Sequence, residues 1–164
     1  MITLVLGGAR SGKSLVAEQL AARLEPPVTY IATAQVDPDD ADHVARIAWH
    51  RARRDGSWRT IEAGADLAGV LRSVEGSVLV DSLGTWLTAD AHLAPDVGAL
   101  VRSLRERVGD AIFVSEEVGL GVHPSSDLGR RFRDALGLVN RAVADVADKV
   151  LLVVAGRVLP LDRL

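Results

Sequence analysis

The sequence predicts an α/β domain with helices on both faces of a mainly parallel sheet. Three observations predict it. Short runs rich in Val, Ile and Leu recur along the chain, longer amphipathic stretches separate them, and Pro and Gly stand at the joins. Continuous apolar runs of this length suit strands buried on both faces. Strands separated by helices need crossover connections, which place neighbouring strands parallel. The 164 residues amount to about one domain, and residues 1–164 are read as a single unit.

The elements follow in order. Residues 2–6 form the first strand and 13–24 the first helix, which Pro26-Pro27 ends before a second strand at 28–32. Asp37 followed by Pro38 reads as an N-cap and first turn, opening a helix over 39–54. Trp58 to Glu62 is a short strand. A helix over 66–74 leads to the strand at 78–80, which ends on Asp81. Thr88 to Pro95 is the most plausible surface excursion. A helix over 97–108, a strand at 112–114, a long helix over 126–148 introduced by Pro124-Ser125-Ser126, and a strand at 150–154 complete the chain.

Composition narrows the function. Hydrophobic residues at 48% and charged residues at 25% are those of an ordinary globular protein, not a disordered one. A net charge of −3 supplies no general basic field for nucleic acid or an anionic membrane, so neither is expected as a partner. The absence of cysteine removes disulfides, thiolate metal sites and cysteine nucleophiles. No apolar run approaches the ~20 residues that span a bilayer. No basic segment followed by a cleavable apolar one precedes the first strand, so the expected location is the cytoplasm.

The strongest chemical signal is Gly7-Gly8-Ala9-Arg10-Ser11-Gly12-Lys13-Ser14, which fits G-x-x-x-x-G-K-[ST] between a strand and a helix. Gly7 and Gly12 permit close backbone approach, and successive N–H groups then face phosphate oxygens at a helix N-terminus. Lys13 offers a mobile cation to the β- and γ-phosphates, and the Ser14 hydroxyl is a candidate Mg²⁺ ligand. The chain has only two lysines, Lys13 and Lys149, so a Lys here stands out against the general use of Arg. Asp81 at the end of an apolar strand is the usual metal-holding partner of such a loop; read alone, it would equally cap the next turn. Together these features make the domain a three-layer P-loop NTPase type. No Asn-Lys-x-Asp segment of the guanine-reading kind is present, which weighs against a regulatory GTPase.

A second cluster surrounds His50: Arg46, then Arg51, Ala52, Arg53 and Arg54. On a helix, Val44, Ile47 and Ala48 share one arc, and His50 falls at its edge or beyond, near His43 and Arg54. Two readings stand. A neutral imidazole is a competent nucleophile at phosphorus, and arginines would draw in a polyphosphate; or a histidine sits on a solvated basic face. His43, His92 and His123 show no persuasive metal-ligand spacing, and Glu62 is ambiguous.

Taken together, the chain resembles the bifunctional adenosylcobinamide kinase / adenosylcobinamide-phosphate guanylyltransferase family of cobalamin biosynthesis. The likeness rests on 7–14, Tyr-Ile-Ala-Thr at 30–33, Arg-Ile-x-x-His-Arg at 46–51, Trp-Arg-Thr-x-Glu at 58–62 and the Asp81 strand. It continues through Glu-Val-Gly-Leu-Gly at 117–121, Arg131 to Asp134, Val139-Asn140 and Leu-Val-Val-Ala-Gly at 152–156. The resemblance implies a RecA-like sheet, a homotrimer and two reactions. A triphosphate, ATP or GTP, phosphorylates adenosylcobinamide; GTP then guanylylates His50, and the phosphorylated cobinamide takes the GMP to give adenosylcobinamide-GDP. It also carries nucleotide contacts over to Gly7, Gly8, Ala9, Arg10, Ser11, Gly12, Lys13, Ser14, Ile31, Ala32, Thr33, Arg51, Ala52, Arg53, Arg54, Glu62 and Asp81, with Mg²⁺ at Ser14 and Asp81. The chain departs from many relatives at Glu116, where Asn is commoner, at Trp49, and in a shorter segment around 88–95. The competing readings are a P-loop small-molecule kinase that transfers only the γ-phosphoryl group and, in another class, a nucleotide-dependent binding switch.

Overall fold

The computed structural model describes residues 1–34, 56 and 58–163. The predicted helix over 39–54 and its Asp37 cap lie outside the described residues. In chain order the elements are β1 (Ile2–Gly7), α1 (Lys13–Ala21), β2 (Val28–Ala32), β3 (Arg59–Glu62), α2 (Leu67–Ser73), β4 (Ser77–Asp81), α3 (Leu83–Thr88), α4 (Val97–Glu106), β5 (Ala111–Glu116), α5 (Asp127–Ala144), β6 (Lys149–Val154) and β7 (Arg157–Pro160). The seven strands form one sheet in the order β3-β2-β4-β5-β1-β6-β7. Every pairing is parallel except β6 with β7.

Alternation along the central strands divides the core into two layers. Leu4, Leu6, Val78, Val80 and Phe113 face one side and pack against Leu71, Trp86, Leu100, Leu104, Leu136 and Val143 from α2 to α5. Val5, Leu79, Ile112 and Val114 face the other side, where Ala17 and Ala21 of α1 meet them. Because both faces are covered, the strands read as unbroken apolar runs rather than alternating ones. No described helix is long and apolar enough to cross a membrane.

Helix starts fall where the capping residues stand. Asp66, Asp96 and Ser126 each accept a backbone N–H three residues on, from Gly69 (2.8 Å), Ala99 (2.7 Å) and Gly129 (3.1 Å). Helix ends come earlier than the periodicity predicts. After α1, Arg23 and Leu24 bond to Leu20 and Ala21, a tightened final turn rather than α-helix. After α5, Val146 donates to Val143 in the same way.

Two elements go beyond the sequence reading. The short helix α3, capped by Ser82, runs just upstream of the expected excursion. The excursion itself is held by Asp90, whose carboxylate accepts the N–H groups of His92 (2.8 Å) and Ala94 (3.3 Å). Those bonds hold its carboxyl below the ordinary range. The strand β7 has no apolar run to announce it, being exposed throughout. It exists because Ala155 (φ 49°) and Gly156 (φ 73°) are both left-handed, the backbone of a two-residue hairpin turn.

Arg107 closes α2. Its guanidinium donates to the carbonyls of Leu71 (2.7 Å), Val74 (2.9 Å) and Gly76 (2.5 Å), supplying donors that the end of the helix and the following turn lack. Burial pulls the guanidinium below its ordinary pKa. A planar fork reaches all three oxygens, and a lysine ammonium would not. Arg107→Ala and Arg107→Lys should each lower unfolding free energy by about 2–3 kcal/mol, measured by urea denaturation, with the lysine recovering little.

Candidate active site

The carboxyl ends of the parallel strands bring the site together. Glu62, Ala32 and Asp81 lie side by side at the ends of β3, β2 and β4. Glu116 and Gly7 are partners at the ends of β5 and β1, and Val153 of β6 is the next neighbour. This edge is where parallel α/β sheets hold ligands.

The loop from Gly7 to Ser14 turns from β1 into α1. Gly7 is boxed in: a Cβ there would strike the Ser11 hydroxyl and stand 2.8 Å from the Val153 carbonyl oxygen. Gly12 takes φ 93°, a conformation side chains resist, and Arg10 holds φ 56° at a cost of about 1–2 kcal/mol. Ser11 N–H donates to Gly8 O (3.3 Å), and Gly156 N–H of the β6–β7 turn donates to Ser11 O (2.8 Å). Gly12 supplies no side-chain cap and the first turn of α1 carries no acid. The leading N–H groups and the positive end of the helix dipole are therefore directed at whatever anion enters the loop.

Lys13 is mostly buried, its side chain 12% exposed. Its Nζ lies 3.4 Å from Gly8 O and 3.6 Å from Glu116 Oε1. The other Glu116 oxygen accepts from Ser82 Oγ at 3.1 Å. That carboxylate rests against Gly84, where a Cβ would run into it. Glu116 thus sits against the loop lysine. Its neighbour Glu117 is turned elsewhere, accepting Gly119 N–H at 2.7 Å, while its own N–H donates to Gly7 O at 3.1 Å.

The remaining expected residues are distributed as follows. Asp81 is half-buried and accepts from the Tyr30 hydroxyl at 3.4 Å. Thr33 is 1% exposed; its hydroxyl donates to Ser82 O (2.6 Å) and meets that of Thr85, tying the end of β2 to the start of α3. Ile31 has no exposed surface, lies between β3 and β4, and supports Ala32 and Thr33 from within. Glu62 is exposed at the end of β3 and Ser14 is half-buried in the first turn of α1. His50, Arg51, Ala52, Arg53 and Arg54 lie outside the described residues.

Sequence reading passed over Ser82, Gly84 and Thr85. Their signal was the Ser-Leu-Gly-Thr run after Asp81, a capping-box arrangement in which Ser82 and Thr85 satisfy each other's backbone.

A family model described as cobinamide kinase / cobinamide phosphate guanyltransferase matches residues 3–161. The chain belongs to this family. It is 45% identical to the bifunctional adenosylcobalamin biosynthesis protein CobP of Pseudomonas aeruginosa over 170 residues, covering 98% of this chain and 97% of that protein. To the bifunctional adenosylcobalamin biosynthesis protein CobU of Salmonella typhimurium it is 33% identical over 178 residues, covering 95% and 97%. Among solved structures, an ATPase of a bacterial type III secretion system superposes with a TM-score of 0.56 at 11% identity, covering 92% of this chain and 50% of that one. That likeness is one of fold, and it supports the three-layer P-loop NTPase architecture with a RecA-like sheet.

The Lys13–Glu116 pair has a measurable consequence, because a polyphosphate must draw Lys13 away from Glu116. Glu116→Gln should lower the triphosphate dissociation constant by about two- to fivefold in calorimetric titration, the range of one partly exposed ion pair.

Proposed function

We propose that residues 1–164 form one catalytic domain that runs both reactions of its family. It phosphorylates adenosylcobinamide and then transfers GMP from GTP to that product, giving adenosylcobinamide-GDP. The observation that carries the reading is the phosphate loop with Lys13 at its centre, within a chain that matches the family over nearly its whole length.

In the first reaction the loop N–H groups and Lys13 hold the β- and γ-phosphates. In the second, a His50 ring nitrogen attacks the α-phosphorus of GTP. The bond to the β-phosphate oxygen breaks, pyrophosphate leaves, and a phosphoramidate forms. An oxygen of the phosphorylated cobinamide then displaces the imidazole. Splitting one transfer into two lowers each barrier, and Arg51 and Arg54 are the cations proposed to steady the α-phosphate. Arg53, Ala52, Glu62 and the end of β2 complete the proposed nucleotide surface.

Ser14 and Asp81 present a hydroxyl and a carboxylate, hard oxygen donors that suit Mg²⁺. Among the described residues no group of three or more His, Cys, Asp or Glu could cage a metal, which fits an ion that arrives on the triphosphate. When bound it would neutralise charge on the β- and γ-oxygens.

With α-labelled GTP and Mg²⁺ the protein should take up an acid-labile, base-stable label and release pyrophosphate. His50→Ala should abolish both. Label persisting in that variant removes His50 as nucleophile, and γ-phosphoryl transfer without pyrophosphate leaves a simple kinase.

The same reading makes the protein a cytoplasmic homotrimer. Val158 and Leu159 on the outer strand β7 are apolar and exposed (46% and 57%), as an edge awaiting a neighbour would be. Light scattering should return three times the 17.4 kDa chain mass, and a monomer mass would refute the trimer.

A further inference from the structure

A cleft of about 510 Å³ opens beside the phosphate loop on its β6 side. One wall is loop residues 8–11. A second is the segment after β5, with Glu117 and Leu120, and a third is the end of β6, with Leu152 and Val154. The geometry points to this cleft as the entry for the alcohol that is phosphorylated, with Glu117 as the group that takes its proton. This assignment rests on the kinase half of the proposed function.

The position follows from Lys13. The loop lysine holds the β- and γ-phosphates, and its Nζ lies 3.4 Å from Gly8 O. The terminal phosphoryl group therefore belongs at the Gly8 end of the loop, with the α-phosphate toward the first turn of α1. In-line transfer needs the acceptor oxygen opposite the leaving oxygen, approaching from beyond that end. There the loop becomes the wall of the cleft.

The other walls suit a large amphipathic alcohol. Leu120 is 81% exposed and Val154 60%, both bordering the cleft, so a ligand with broad apolar faces would remove them from water. A corrin ring edged with amides and carrying a hydroxyl on a side arm is of that class.

Three carboxylates stand near enough to be weighed as base, and their partners separate them. Glu116 is paired with Lys13 and Ser82, and Asp81 accepts from Tyr30. Glu117 lines the cleft. Its N–H is anchored on Gly7 O, and one carboxylate oxygen is fixed by Gly119 N–H. A carboxylate has a second oxygen with lone pairs to spare for a hydroxyl. In the step, the acceptor O–H bond breaks and its proton passes to Glu117. The acceptor oxygen bonds to the γ-phosphorus, and the bond from that phosphorus to the bridging oxygen breaks with its electron pair on the nucleoside diphosphate.

The two reactions supply the control, because a phosphate monoester needs no base before it attacks the guanylylated histidine. Using the full chain, Glu117→Gln should lower kinase kcat by roughly 10²–10⁴-fold. It should change nucleotide KM and guanylyl-histidine formation by less than about threefold, and Glu117→Asp should restore part of the kinase rate. Leu120→Asp should raise the cobinamide KM by roughly tenfold with nucleotide KM unchanged, since a charge would then face an apolar ring. Kinase kcat within about threefold of the parent in Glu117→Gln, or equal loss of both reactions, overturns the role of Glu117. An unchanged cobinamide KM in Leu120→Asp overturns the cleft. A parent protein that does not phosphorylate cobinamide at all overturns the proposed function first, and this assignment with it.

Discussion

The rest of the structure depends on a turn of backbone that must present N–H groups inward without satisfying all of them itself. Gly12 offers no side-chain cap and no acid stands in the first turn of α1, where the Lys13 N–H is met by the Ser11 hydroxyl at a long 3.4 Å. An uncapped N-terminus is unfavourable on its own, since it leaves donors unpaired until an anion arrives. The loop keeps this shape because its other polar groups are tied to the sheet. Gly7 O accepts from Glu117 and Ser11 O accepts from Gly156, so the segment after β5 and the β6–β7 turn both buttress it. Val153 O lies so close to Gly7 that only glycine fits. The hairpin that the sequence reading did not anticipate is thus part of the scaffold that holds the phosphate site.

This scaffold explains why carboxylates and a lone lysine can share so small an edge. A mostly buried ammonium with no anion would lose solvation without recompense. Glu116 supplies that anion at 3.6 Å, and Ser82 and Gly84 hold the carboxylate in place. The pair is weaker than a close ion pair, so a polyphosphate carrying several charges outcompetes it.

Much of this was legible in the sequence, for reasons that differ from residue to residue. The central strands were readable because burial on both faces leaves an uninterrupted apolar run, and the phosphate loop because Gly7 and Gly12 each answer a steric demand. Helix starts were readable at Asp66, Asp96 and Ser126, whose side chains do the capping; helix ends were overestimated because apolar periodicity continues into turns that are no longer α-helical. What escaped was whatever depends on contacts between distant segments. Nothing local in Ala155-Gly156 says that its N–H will brace Ser11. Nothing in Ser-Leu-Gly-Thr says that Gly84 makes room for a carboxylate 32 residues on. The arginine-rich segment around His50, expected as a helix from its pattern, lies outside the described residues.

The strand order gives the two proposed reactions a spatial logic. One bound triphosphate has two reactive phosphorus atoms, at opposite ends of a chain lying along the loop. The γ end falls at Gly8, where the loop borders the cleft with Glu117, Leu120 and Val154 toward β6. The expected nucleotide contacts beyond the loop, Asp81, Ala32 and Glu62, lie toward β3, at the ends of β4, β2 and β3 beyond β5. An acceptor alcohol and a nucleophilic imidazole serving these two ends need not compete for one opening. A single loop of backbone amides, indifferent to which phosphorus is attacked, then supports both transfers, and selection between them rests with the side chains that flank it on either side of the sheet.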